Sequence, residues 1–178
     1  FEGSRTHARL MAALQHCGYH IASRELCPSE LGWPNRRPRF YLLAACEPLQ
    51  PWRPLVRREL ALQDFLDPPQ IVNAEPELWL GDDEFDRFSA GLDRVDARQS
   101  TACTACFASS YGKTRMKSGS YLWTESGYRR FAPREVARLL GFPDSFQLHG
   151  ISARTAWKLL GNSLALPAVR YVLSHLPP

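Results

Sequence analysis

Three arginines crowded into a proline-rich turn are the residues whose types and spacing best suit chemistry. Residues 31–40 read LGWPNRRPRF, so Arg36, Arg37 and Arg39 stand beside Pro34, Pro38 and Asn35. A guanidinium offers a planar fork of donors that matches a phosphate or the edge of a base. Arg37-x-Arg39 leads into RFYLLAAC, read as a buried strand over 39–46 that fixes those side chains at a sheet edge. A solvated hairpin end fits the same residues. A second stretch, 101–123, reads TACTACFASSYGKTRMKSGSYLW. It interleaves Lys113, Arg115 and Lys117 with Phe107, Tyr111, Tyr121 and many hydroxyls. In one flexible segment such a mixture suits a nucleic-acid backbone with stackable bases, and a polar hairpin is the plainer alternative. A third candidate is Gly161-Asn162-Ser163, where a small residue and two short polar ones expose donors, or simply turn the chain between packed helices. Metal chemistry is not expected. Cys103 and Cys106 form one C-x-x-C with no second pair to complete a tetrahedral site, and Gly18 separates His16 from His20.

The elements that must position these groups are signalled by their breaks. Pro133 suits a first helical turn, Val136, Leu139 and Leu140 follow at helical spacing, and Gly141 with Pro143 ends the helix. A second helix starts after Ser152 as N-cap and carries Ala156, Leu159 and Leu160. Near the start, residues 4–17 read as a helix with Leu10, Leu14 and Cys17 on one face, and 19–26 as a strand. Helix, strand, loop, strand suits the end of an α/β sheet, but too few strands remain to close a doubly wound fold. Something is therefore expected upstream. Pro48, Pro51 and Pro54 read as a hinge-like linker, Pro68-Pro69 as a break, and Asp82 as the cap of a short helix bearing Phe85, Phe88 and Leu92.

With 178 residues, 44% of them hydrophobic and 22% charged, the chain has the composition of an ordinary globular protein. No apolar run approaches the ~20 residues of a membrane helix, and no secretory signal is visible. The chain opens on Phe1, which reads as processing or a cut. Five cysteines, an odd number without paired spacing, read as reduced and intracellular, hence cytoplasmic or nuclear. The net charge of +4 hides segregation: residues 1–60 hold nine Arg/Lys against five Asp/Glu, 61–99 three against ten, and 100–178 ten against three. Two basic segments thus flank an acidic one, and basic segments are what a polyanion would contact. The acidic segment has no chemical role on this reading.

The order of the words is more specific than any one of them. PREVARLLGFPDSF, followed after a dozen or so residues by LLGNSLALPAV, resembles the ninth and tenth motifs of the cytosine-C5 methyltransferases. PN-x-R-x-R before an apolar strand resembles their eighth. FEGSRTHARLMAALQHCGYH resembles the stretch just after the family's Glu-Asn-Val motif, which would put Phe1 a few residues beyond the catalytic glutamate. CF-x-x-x-YG followed by a GS pair resembles the transfer-RNA (aspartate) branch, although that branch has Cys-Phe-Thr where this chain has Cys106-Phe107-Ala108.

The resemblance implies the C-terminal part of a Rossmann-like α/β fold that uses S-adenosylmethionine, with its sheet incomplete in this chain. Residues 1–48 would end the catalytic domain, 49–128 would form the target-recognition region, and 129–178 would return to the catalytic domain. It places Arg37 and Arg39 at the flipped cytosine and its backbone, Arg39 near O2. It places Cys106, Phe107, Tyr111, Lys113, Arg115 and Lys117 in substrate recognition, and Asn162 and Ser163 in the methyl donor's pocket. Arg130 and Glu135 are implied as structural braces. In this chemistry a cysteine thiolate adds to C6 of an extruded cytosine, an acid stabilises N3, and C5 then takes the methyl group. Neither the Pro-Cys nucleophile loop, the glutamate nor a glycine-rich cofactor loop is in this chain, which alone should transfer no methyl group. Transfer RNA is the expected partner, together with a missing N-terminal catalytic portion. DNA as substrate, a split enzyme and a non-catalytic regulatory module remain alternatives.

Overall fold

A computed structural model describes residues 3–177, apart from the side chains of Asp82 and Glu84; the expectation for Phe1 lies outside them. Helix α1 (Arg5–His16) starts on Ser4, whose hydroxyl accepts from the His7 N–H at 3.1 Å. It leads into strand β1 (His20–Leu26), which pairs antiparallel with β2 (Arg39–Ala45). The strand expected to be buried is only half so, because β2 has one neighbour and a single fully buried side chain, Leu43. No residue of α1 is buried: Leu10 and Cys17 are exposed and Leu14 is half-buried.

Residues 46–61 form no regular element but are not a hinge. The N–H groups of Gln50 and Arg53 donate to the carbonyl and Nε2 of His175, at 2.9 Å each. Trp52 lies parallel to Tyr171, with Arg24 over both rings. The strap has been drawn onto the last helix by its tryptophan, which proline spacing alone does not reveal.

Next come the short helices α2 (Pro69–Val72) and α3 (Asp82–Phe88), the latter capped by Gly81 rather than Asp82. A second sheet follows, with β3 (Asp93–Val95) parallel to β4 (Ser120–Thr124) and β5 (Gly127–Arg130) antiparallel to β4. Helix α4 (Pro133–Leu139) buries Val136 and Leu139 completely, and the adjoining Phe131 and Leu140 are equally inaccessible. Each such side chain stabilises the core by about 1.5–3 kcal/mol. Gly141 ends the turn at φ +82°, where an added Cβ would come within 2.6 Å of Pro167. Helix α5 (Ala153–Asn162) starts on Ser152 as its sequence predicts, but turns Leu159 outward, 55% exposed. Helix α6 (Leu166–Leu173), not anticipated, places Ala168 and Val172 against Leu26, Leu31 and Leu43 in a small second core.

The acidic segment has a structural role. Buried Asp67 accepts from Arg134 and Arg138 of α4 at 2.7 Å each, and Glu75 pairs with Arg134 at 2.6 Å. Beneath them Glu135 takes hydrogen bonds from both Arg129 terminal nitrogens (2.7 and 2.8 Å), the Ala132 N–H (2.8 Å) and the Asp67 N–H (2.9 Å). Glu135 thus ties Arg129 to the turn before α4 and to Asp67, and its guanidinium partner is Arg129. The neighbouring Arg130 instead donates to the Glu77 carbonyl at 3.1 Å.

Candidate functional site

The loop before β2 is zipped onto residues 104–107. Buried Asn35 donates to Thr104 Oγ1 (2.8 Å) and the Ala105 carbonyl (3.1 Å), while the Arg36 N–H donates to the Thr104 carbonyl at 2.8 Å. This alignment drives Arg37 inward, to 2% exposure. Its Nη1 reaches the Phe107 carbonyl at 3.0 Å and Cys106 Sγ at 3.1 Å. Its Nη2 reaches the carbonyls of Gly161 at 2.8 Å and Ser163 at 2.6 Å. One guanidinium thus ties the arginine loop, the 106–107 segment and the end of α5 together. Burial lowers the Arg37 pKa against an opposing pull from Cys106, with the Arg39 charge adding a smaller push downward, but arginine remains charged throughout the ordinary pH range.

Arg39 is half-buried and sits on the other side of the same thiol, with Nη2 at 3.6 Å from Cys106 Sγ and Nη1 at 2.8 Å from the Pro38 carbonyl. A shallow cleft of about 480 Å³ opens at Cys106, lined in part by Ala105, Cys106, Lys117 and Gly119. Three buried polar atoms around this loop, Asn35 Oδ1, Arg37 Nε and Tyr41 Oη, have no hydrogen-bond partner among the described residues. Such atoms cost about 1–3 kcal/mol each when left unpaired, which suits a place where a polar ligand completes the bonding. Burial also raises the Tyr41 pKa, opposed by the Arg39 and Arg37 charges.

The 101–123 stretch departs from its expectation. Phe107, Tyr111 and Tyr121 are at most 1% exposed and cannot stack on a base from the surface. Tyr111 meets Phe107 and Trp157 edge-on, at centroid distances of 5.0 and 5.6 Å. Its hydroxyl donates to the Ser120 carbonyl at 2.6 Å and accepts from the Phe131 N–H at 3.0 Å. These aromatic rings, together with Leu122, close the core beneath the loop. What remains at the surface is cationic: Lys113 and Lys117 are exposed and Arg115 is half-buried. The loop is pinned at its neck by the Ala108 N–H donating to the Ser118 carbonyl at 2.8 Å.

At the third candidate, Gly161 and Asn162 complete α5 and Ser163 caps it. The Ser163 hydroxyl donates back to the Leu160 carbonyl at 2.8 Å, so only Asn162, exposed, presents a side-chain amide. Gly161 is required by contact, because an added Cβ would lie 2.3 Å from the Ser109 nitrogen and 2.4 Å from the Ala108 carbonyl carbon. Sequence reading missed Arg129, Asn35, Thr104 and Asp67. The only available signal was a polar residue inside an otherwise apolar or proline-fixed run.

The model for the C-5 cytosine-specific DNA methylase family matches residues 81–177, more than half of the chain. The chain belongs to that family. Among curated cytosine methylases it is 26% identical over 201 residues to the tRNA (cytosine(38)-C(5))-methyltransferase of Schizosaccharomyces pombe, covering 99% of this chain and 60% of that protein. It is 27% identical over 190 residues to the type II methyltransferase M.NlaX of Neisseria lactamica, covering 97% and 57% respectively. The chain thus spans somewhat under two thirds of these relatives. The fold matches the Entamoeba histolytica methyltransferase EhMeth (TM-score 0.89, 22% identity, 98% of this chain and 58% of that one). It also matches the S. pombe Dnmt2 methyltransferase (TM-score 0.86, 24% identity, 98% and 61%). Among the described residues of this cytosine methylase chain no cluster of side chains could hold a metal ion, and no helix is long and apolar enough to cross a membrane.

Proposed function

We propose that the complete protein methylates C5 of cytosine in transfer RNA, and that this chain supplies the base-reading wall and part of the methyl-donor pocket. The observation that carries the reading is the convergence on Arg37 of three segments far apart in sequence, with Cys106 lining the cleft and Arg39 3.6 Å from its sulfur. Arg39 contacts the extruded base, and Arg37, its terminal nitrogens committed to protein acceptors, holds the loop and the α5 corner in register. Lys113, Arg115 and Lys117 serve the nucleic-acid backbone, while Phe107 and Tyr111 act only by supporting them from below. The thiolate that adds to C6 and the acid at N3 come from the remaining part of the protein, consistent with the share of its relatives that the chain spans. Residues 1–48 and 129–178 then belong to the catalytic domain and 49–128 to target recognition.

The corner after α5 fits S-adenosylmethionine as one wall, because the exposed Asn162 amide adjoins Leu164, 47% exposed, and gives a polar donor beside apolar surface. The donor supplies the methyl group. Asn162 orients its polar edge, and the Ser163 carbonyl, held by Arg37, fixes the corner's position.

Transfer RNA is favoured because two relatives that align over 99% of the chain, from S. pombe and Spodoptera frugiperda, are tRNA (cytosine(38)-C(5))-methyltransferases. DNA is the second reading, favoured by the type II relative. Parallel assays of the complete protein on transfer RNA and on a CpG duplex decide between them, with methylation of the RNA alone as the expected result.

A further inference from the structure

Some cations of this chain are paired with carboxylates and others are not. Arg129, Arg134 and Arg138 are spent on carboxylates. Lys113, Arg154 and Lys158 are exposed and form no ion pair among the described residues. These three share one seam. Gly112 lies against α5 so closely that an added Cβ would be 3.3 Å from the Cα and Cγ of Arg154 and 2.7 Å from the Trp157 ring. At the other end of the seam Gly161 touches the backbone of Ala108 and Ser109. The loop and helix therefore form one rigid support, with Lys113 projecting from the loop beside Arg154. Lys158 follows Arg154 by four residues, just over one helical turn and about 6 Å along the axis.

The chemistry of the seam is one-sided. No Asp or Glu occurs between Asp96 and Glu125, and none follows Asp144. Loop 108–118 and α5 thus contain no carboxylate of their own. Exposed Thr155, whose hydroxyl oxygen accepts from Ser152 at 3.0 Å, adds a hydroxyl donor along α5. A lone surface cation is ordinarily just solvated. A carboxylate-free row on two elements locked backbone to backbone is instead matched to a row of anions, and a sugar–phosphate strand supplies charges at regular short intervals.

We infer that Lys113, Arg154 and Lys158 form a phosphate-binding track for the nucleic-acid strand flanking the target base. This rests on the functional reading above and extends it to α5, where Arg154 and Lys158 had no role. Such contacts fix register and supply affinity without reading sequence.

The test is a salt titration of binding by the complete protein to a transfer RNA, followed by fluorescence anisotropy, for wild type, R154Q/K158Q and the equal-charge control R5Q/R9Q on the exposed face of α1. Each lost phosphate contact removes about 0.7–0.9 from the slope of log K against log salt. R154Q/K158Q is therefore expected to lower the slope by about 1.5, with K lowered alike for transfer RNAs of different sequence, while its thermal midpoint and the control's slope stay at wild-type values. A wild-type slope in R154Q/K158Q, or an equal fall in the control, overturns the track and leaves the functional reading standing. Absence of RNA binding by the wild type removes both.

Discussion

Arg37 Nη2 donates to the Ser163 carbonyl at 2.6 Å across 126 positions of sequence, and the same nitrogen holds the Gly161 carbonyl. The bond joins the arginine loop to the corner after α5. Arg37→Lys keeps the charge but not the fork, since an ammonium cannot span Phe107, Gly161 and Ser163 together. A loss of about 3 kcal/mol or more is expected for Arg37→Lys or Arg37→Ala in denaturant unfolding, because buried carbonyls lose charge-assisted partners. A change within about 0.5 kcal/mol, the range of ordinary surface substitutions, would show that Arg37 is no strut.

Glu135 and Arg129 give a sharper comparison. Arg129→Ala leaves a buried carboxylate with half its hydrogen bonds, and should cost about 3–5 kcal/mol. Arg130→Ala loses contacts to the Glu77 side and should not couple to Glu135. A double-mutant cycle reads this directly: coupling to Glu135 belongs to Arg129, and coupling to Arg130 would contradict the pairing described.

Gly161→Ala sets two principles against each other. Helix propensity favours alanine by about 1 kcal/mol. The close approach of Ser109 and Ala108 backbone opposes it, because backbone cannot step aside cheaply. Net destabilisation of about 1–3 kcal/mol is expected by thermal unfolding; a more stable variant would mean the loop yields.

Tyr111 carries a pH signature. Burial pushes its pKa well above the ordinary tyrosine value, with the Phe131 N–H bond pulling the other way. The folded chain then holds a proton that the unfolded chain releases above pH ~10, so this contribution is intact below ~10 and is lost as pH rises toward the raised folded value. Tyr111→Phe should flatten that alkaline decline while costing about 1–3 kcal/mol at neutral pH through the orphaned Phe131 N–H. An unchanged alkaline slope would place the effect elsewhere, Tyr41 first.

Local punctuation was readable where one residue dictates geometry. Ser152 caps α5 and Gly141 ends α4 as expected, while Ser4, read as the first residue of its helix, caps it instead. Pairing across sequence was not. Arg129 and Arg130 are adjacent and chemically identical, and only the register of β5 against β4 decides which one faces Glu135. Phe107 and Tyr111 look like a stacking platform until Trp157 and Phe131 close over them. Helix α6 was hidden because Pro167 reads as a breaker, although it occupies the first turn, where proline is tolerated. The acidic segment acquired its role only when α4 brought Arg134 and Arg138 to Asp67.

Arg39 is where the central claim is most exposed. With the complete protein and a transfer-RNA substrate, cytosine-C5 methylation read by bisulfite sequencing should fall by about 10²–10³ in Arg39→Ala, the loss typical of one preorganised donor, with the thermal midpoint unchanged. Wild-type methylation by Arg39→Ala would contradict the assignment of this loop as the base-reading wall.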